Sequence, residues 1–172
     1  MYKRILFIII FCLTSQLAFA AGGDSDSSSD NYLDQYTTAK NLVNKGKKFE
    51  KKGKKEKAMK LYDSAYKKLL EAQKIESRNP DILNYLGFTS RKMGNYNEAE
   101  KYYLKGLKIK PDHNGINEYL GELYIKTNRK DKAKERLAVL KKCNCKEYDE
   151  LKALMGSNLK ISGELKVLMG NN

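Results

Sequence analysis

Apolar positions recur along the chain at the three- and four-residue intervals of a helix, as at Tyr96, Ala99 and Tyr103 and again at Leu69, Leu70, Ala72 and Ile75. Polar breakers punctuate these stripes. Gly94-Asn95 predicts the end of one helix, because glycine tolerates the left-handed backbone of a C-terminal cap. Pro111-Asp112 predicts the end of the next, since proline cannot continue a helix and aspartate forms turns. The pattern then repeats. Leu86-Gly87 and Leu120-Gly121 lie 34 residues apart, as do Ala99 and Ala133, and Tyr85 and Tyr119. A helical period repeated at that distance predicts helix–turn–helix units that cannot bury their apolar faces alone and must stack.

The unit at 80–113 carries Leu86, Gly87, Gly94, Tyr96, Ala99, Tyr103 and Pro111 at the places of a tetratricopeptide repeat, which it resembles. Ser90 and Gly106 depart from that pattern, standing where it has a large aromatic and an alanine. The small residues Gly87 and Ala99 suit a close helix crossing, and Leu86, Tyr96 and Tyr103 fill the space around it. The unit at 114–145 keeps Leu120, Gly121, Tyr124 and Ala133, with Asn128 at the turn glycine and Cys145 at the proline. Upstream, at 39–79, Gly46, Phe49, Gly53, Ala58, Tyr62 and Ala65 align only with a 41-residue offset. The extra seven residues fit a second helix longer by about two turns, which keeps its apolar face in phase. The expected fold is therefore all-α, a right-handed superhelical stack of about three such hairpins over 32–145. Residues 146–172 would add a C-terminal capping helix, "CKEYDELKALMG", followed by a second short helix. "ELKVLMG" duplicates "ELKALMG" fourteen residues on, and each copy ends in glycine.

The string "NPDILNYLGFTSRKMGNYNEAEKYYLKGLKIKPDHNGINEYLGELY", with a cysteine pair and "CKEYDEL" after it, is similar to a family of small exported bacterial repeat proteins. That resemblance implies a fold and an exported location, and no particular activity. Relatives have two or three residues between the cysteines, whereas here only Asn144 separates Cys143 from Cys145.

The N-terminus points the same way. Lys3 and Arg4 precede the apolar run 5–13, and Ala18-Phe19-Ala20 offers a small-x-small cleavage site, which together read as a secretory signal peptide over 1–20. The alternative is an uncleaved membrane anchor, although Thr14, Ser15 and Gln16 interrupt the run and a span takes about 20 apolar residues. Cys12 lacks the small neighbours of a lipidation site. Cleavage after Ala20 removes Lys3 and Arg4 and no acid, so the formal charge falls from +13 to +11. The stretch 21–31, rich in Gly, Ser and Asp, reads as a flexible polar linker, with structure expected from near Asp30.

Candidate chemistry is sparse. His113, the single histidine, sits in a turn as a solvent-facing residue or a cap of the following helix, and no nucleophile and base are paired around it. No catalytic residue is assigned, and no enzyme activity or cofactor is expected. Cys143 and Cys145 could form a local disulfide, remain free or pair between chains, or serve a redox or metal role; a metal site normally takes four ligands, and no third Cys or His stands nearby. Nine lysines between 40 and 57 face only Glu50 and Glu56. Within that segment Lys47, Lys48, Lys51, Lys52, Lys54 and Lys55 form a basic patch, read as a solvated helix face or as a contact for acidic proteins, phospholipid headgroups or anionic envelope polymers. No aromatics interleave it in a base-stacking pattern and an exported protein rarely meets nucleic acid, so nucleic acid is not an expected partner. Membrane contact would run through this patch or an uncleaved N-terminal segment.

In the repeat architecture the first helix of each hairpin lines a concave groove. Its exposed positions would be Asn84, Tyr85, Phe88, Arg91 and Lys92 from the middle repeat and Glu118, Tyr119 and Glu122 from the last. Lys40, Asn44 and Lys47 would come from the first. Arg91 and Lys92 could instead pair with Glu118 and Glu122 across the groove. Aromatics with both signs of charge suit an extended peptide. Val43 and Phe88 occupy places where a carboxylate-clamping variant of the repeat has polar residues, so that ligand is not indicated. The expected function is a periplasmic or secreted, non-enzymatic scaffold that holds a protein or peptide in the groove. The alternatives are a basic surface protein that holds anionic polymer or membrane, and a thiol redox protein.

Overall fold

The period becomes structure through small residues that receive a bulky side chain from the next helix. In the computed structural model, which describes residues 26–169 and side chains within 31–157, seven helices follow one another. They are α1 (Asp26–Lys51), α2 (Lys55–Ile75), α3 (Pro80–Lys92), α4 (Tyr96–Ile109), α5 (Asn114–Lys126), α6 (Lys130–Leu140) and α7 (Lys146–Met169). The described residues contain no strand. Helices α1–α2, α3–α4 and α5–α6 pair as three hairpins, each packed on the next, and α7 lies against α5 and α6. The described residues thus form an all-helical stack of helix–turn–helix units.

Each hairpin closes on a glycine notch. A Cβ added at Gly46 would lie 2.5 Å from the ring of Tyr62, and one at Gly87 would strike Tyr103. Both tyrosines are almost completely buried. The third notch is filled differently: the nearest atoms to Gly121 belong to Leu151 of α7, not to α6. The capping helix therefore seals the last hairpin by supplying the knob that the earlier hairpins take from their own second helix. Gly106, where the repeat pattern has alanine, takes the side chain of Ile116 from the following hairpin. The turns within the hairpins need left-handed backbone at one residue. Gly53 (φ +70°), Gly94 (φ +89°) and Asn128 (φ +58°) supply it, asparagine being the side chain that tolerates this region best.

α2 is 21 residues long and α4 is 14, so the seven extra residues of the first unit lie in its second helix. Leu69 and Ala72 on that extension remain fully buried.

Three expectations are corrected. α1 begins at Asp26, so residues 26–31 are helical and not linker. The expected short helices at the C-terminus are one continuous α7 that runs through Gly156. A glycine inside an exposed helix costs only about 1 kcal/mol, which intact helical sequence on either side outweighs. The groove residues are less exposed than expected, as described below. The expected signal peptide over 1–20 lies outside the described residues.

Candidate functional site

The inner face of the stack is formed by α1, α3 and α5, with the first turns of α7 closing one side. Two clefts of about 520 and 540 Å³ run along it and meet at Glu118, Tyr119 and Glu147. All eight residues assigned to the groove from the sequence line one cleft or the other. They do not all face solvent.

Phe88 is only 2% exposed. Its ring meets Tyr119 at a tilt, with centroids 5.1 Å apart, meets Tyr62 edge-on, and is covered by Lys47, whose Nζ lies 4.6 Å from the ring centre. That ammonium also donates to the Tyr119 hydroxyl at 2.8 Å. Burial pushes the Lys47 pKa down, against the pull of Glu118 and Glu122. Burial and those same carboxylates hold the Tyr119 phenol well above its ordinary range. Lys47 thus leaves the basic patch and becomes part of the groove wall, while Lys48, Lys51, Lys52, Lys54 and Lys55 stay exposed.

The ion pairs cross between hairpins. Arg91, almost fully buried, pairs with Glu122 at 2.6 Å and lies over the rings of Phe88 and Tyr119. Lys92 pairs not with α5 but with Glu50 of α1, at 2.8 Å. Glu50 also accepts from the Tyr62 hydroxyl at 2.8 Å. Burial opposes the Glu50 charge, yet the bonds from Lys92 and Tyr62 keep its carboxyl below the usual range. Glu118, 5% exposed, is pushed well above that range, first by burial and then by its contact with Glu150 and the charges of Glu122 and Glu147. Glu150 in turn accepts from Lys146 at 2.6 Å. Internal partners in this half of the groove tie α1, α3, α5 and α7 together, and only the Arg91 Nε among its described charged side chains is buried without a hydrogen-bond partner.

The other half is different. Tyr36 and Lys40 of α1 face Asp81, Asn84 and Tyr85 of α3, with the α4–α5 turn as a floor. Tyr36 and Tyr85 meet edge to face at 5.8 Å. His113 caps α5: its Nδ1 accepts from the Ile116 N–H at 3.2 Å and its Nε2–H therefore points at Asp81, 3.1 Å away. That bond, against the effect of burial, holds the Asp81 carboxyl below its ordinary value. His113 is thus a structural joint. Asn84 is 7% exposed, and its side-chain oxygen accepts no hydrogen bond from any described residue. Buried amide oxygens are almost always paired, and among the described buried polar atoms left without a partner the Asn84 oxygen is the one acceptor on a residue that lines either cleft.

Sequence reasoning missed Glu50, Glu147 and Glu150. The 41-residue offset that aligns Gly46 with Gly87 also sets Glu50 opposite Arg91 and was a usable signal. No repeat spacing pointed to Glu147 and Glu150, because α7 lies outside the repeat. The sulfurs of Cys143 and Cys145 lie at bonding distance, 1.98 Å, in the turn between α6 and α7. Among the described residues no group of His, Cys, Asp and Glu is arranged to hold a metal ion, and no described helix is long and apolar enough to cross a membrane.

The tetratricopeptide repeat family model matches residues 80–113, the hairpin α3–α4. No curated protein matches the chain. A tetratricopeptide repeat within an all-helical stack supports, in general terms, a protein–protein interaction scaffold.

Proposed function

We propose that the chain is a non-enzymatic adaptor that holds an extended segment of a partner protein in the cleft between Tyr36, Lys40, Asn84, Tyr85 and Tyr119. The observation that carries this reading is the unpaired oxygen of Asn84, nine-tenths buried and beside the tyrosines of the cleft. With the Asn84 amide turned toward the cleft, a backbone N–H of a bound peptide would satisfy it, and the Tyr36–Tyr85 pair would take the peptide's flat or apolar side chains. The half of the groove around Phe88 serves as support, since its charges and rings already have internal partners. The N-terminal sequence supports export, which makes envelope proteins the partners to test.

Asn84→Ala and Tyr85→Ala, in the chain as it accumulates in cells, provide the test. Asn84→Ala removes no hydrogen bond from the Asn84 oxygen and should leave the unfolding free energy within about 1 kcal/mol of the parent. Recovery of an envelope partner should drop sharply with either variant. Unchanged recovery with both variants would end the proposal. N-terminal sequencing of the same material should begin at Ala21.

A further inference from the structure

The turn between α1 and α2 and the helix ends beside it carry Lys48, Lys51, Lys52, Lys54, Lys55 and Lys57, all exposed, and among the described residues no ion pair to any of them is found. In the sequence two acids interrupt the run. The structure removes one of them, because Glu50 turns inward to Lys92 and Tyr62, which leaves Glu56 as the acid among these lysines.

Helix stability does not account for this arrangement. Lys48 and Lys51 end α1, where a cation complements the dipole. Lys54, Lys55 and Lys57 stand at the opposite kind of site, the N-cap and first turn of α2, where positive charge is unfavourable. Lys54 also makes no side-chain cap bond. The equivalent first turn of α4 carries Glu98 and no cation. At the start of α6, cations do occur, but Arg129 is bonded to Glu100 and Lys132 lies over Tyr124. Three unpaired lysines against a helix dipole, beside three more, are a local conflict of the kind found where function sets the residue choice.

The shape of the turn indicates the partner. It is a convex tip: a Cβ added at Gly53 would meet nothing within 4 Å. Lys51 reaches the rim of the cleft around Phe88, whereas the charge of Lys52, Lys54, Lys55 and Lys57 is directed outward, an arrangement poorly suited to enclosing a single small anion. It suits a broad surface with closely spaced negative charges. We infer that the α1–α2 tip is a contact site for a bilayer with anionic headgroups, separate from the peptide cleft and able to hold the scaffold against the membrane. The attraction is electrostatic, since no large apolar side chain lies between Lys51 and Lys57 to enter the acyl region.

The test is co-sedimentation of the purified, exported chain with vesicles of neutral phosphatidylcholine and with vesicles containing anionic phosphatidylglycerol. Binding is expected only to the anionic vesicles, and it should fall as salt shortens the Debye length from about 10 Å at 0.1 M to about 3 Å at 1 M. Each lysine near such a surface contributes about fivefold in partitioning, so Lys54→Gln/Lys55→Gln/Lys57→Gln should lose about a hundredfold. Because those lysines oppose the α2 dipole, the melting temperature of this variant should not fall, which separates lost binding from lost folding. Unchanged vesicle binding by the triple variant would overturn the inference. So would equal binding to neutral vesicles, or binding to soluble polyphosphate without any binding to vesicles.

Discussion

Replacing Gly87 by Ala adds one methyl group where α3 meets α4 and isolates the packing that defines the hairpin. In an exposed helix interior this exchange stabilises by about 0.5–1 kcal/mol, because alanine loses less conformational entropy. At Gly87 the new Cβ would lie 2.6 Å from Tyr103 Cδ1 and 2.8 Å from Cζ, with Cε1 nearer still. Tyr103 is completely buried, so its ring cannot swing into water. An extra carbon forced into a packed core costs about 1–3 kcal/mol. Repulsion therefore outweighs propensity, and Gly87→Ala should lower stability by about 0.5–2 kcal/mol. Gly156 is the control, since in α7 a Cβ there meets nothing within 4 Å; the same exchange should stabilise by up to about 1 kcal/mol. Urea unfolding followed by circular dichroism measures both. In a Tyr103→Leu background the clash is gone and Gly87→Ala should become favourable, with a coupling of about 1–3 kcal/mol across the double-mutant cycle. A Gly87→Ala chain as stable as the parent would refute the notch packing.

Arg91→Met leaves Glu122 beside the core without its counter-charge and should cost about 3–5 kcal/mol in urea unfolding, whereas Lys67→Met, at the exposed Lys67–Asp63 pair, should cost less than about 1 kcal/mol. Glu118 has a folded pKa raised above its unfolded value, so its contribution is fully present below the unfolded value and is lost as pH rises through the folded one. Thermal unfolding measured from about pH 5 to about pH 9 should show a decline that Glu118→Gln flattens. Replacing Cys143 and Cys145 together by Ser opens a three-residue loop and should cost about 1.5 kcal/mol on the chain-entropy relation, measured against the parent under non-reducing conditions.

The hairpins were legible because their determinants are local and repeat. Leu-Gly pairs, turn glycines and bulky tyrosines recur at offsets of 34 and 41 residues, and the seven-residue difference appears as a longer α2. The exposure of the groove was not legible. Phe88 stands at a position that faces the concave side, but it is buried because Lys47 reaches across from α1 to Tyr119, 72 residues away in sequence. Nothing in the repeat pattern encodes that crossing. It depends on how closely the first helices of the hairpins approach one another. The same holds for Glu50, which the lysines around it made look like part of a charged surface before Lys92 and Tyr62 drew it inward. Gly156 misled for another reason: glycine marks a helix end only when the flanking sequence also stops favouring helix.

Partners are proposed to bind along the inner face made by α1, α3 and α5, in the Asn84–Tyr85 cleft. The most direct measurement is backbone amide chemical-shift mapping with a peptide selected from a random display library on the purified chain. Shifts should centre on Tyr36, Lys40, Asn84, Tyr85 and Gly115, and Asn84→Ala should weaken the peptide at least about tenfold, the equivalent of one lost hydrogen bond. Shifts centred on the outer helices α2, α4 and α6, with affinity unchanged in Asn84→Ala, would contradict it.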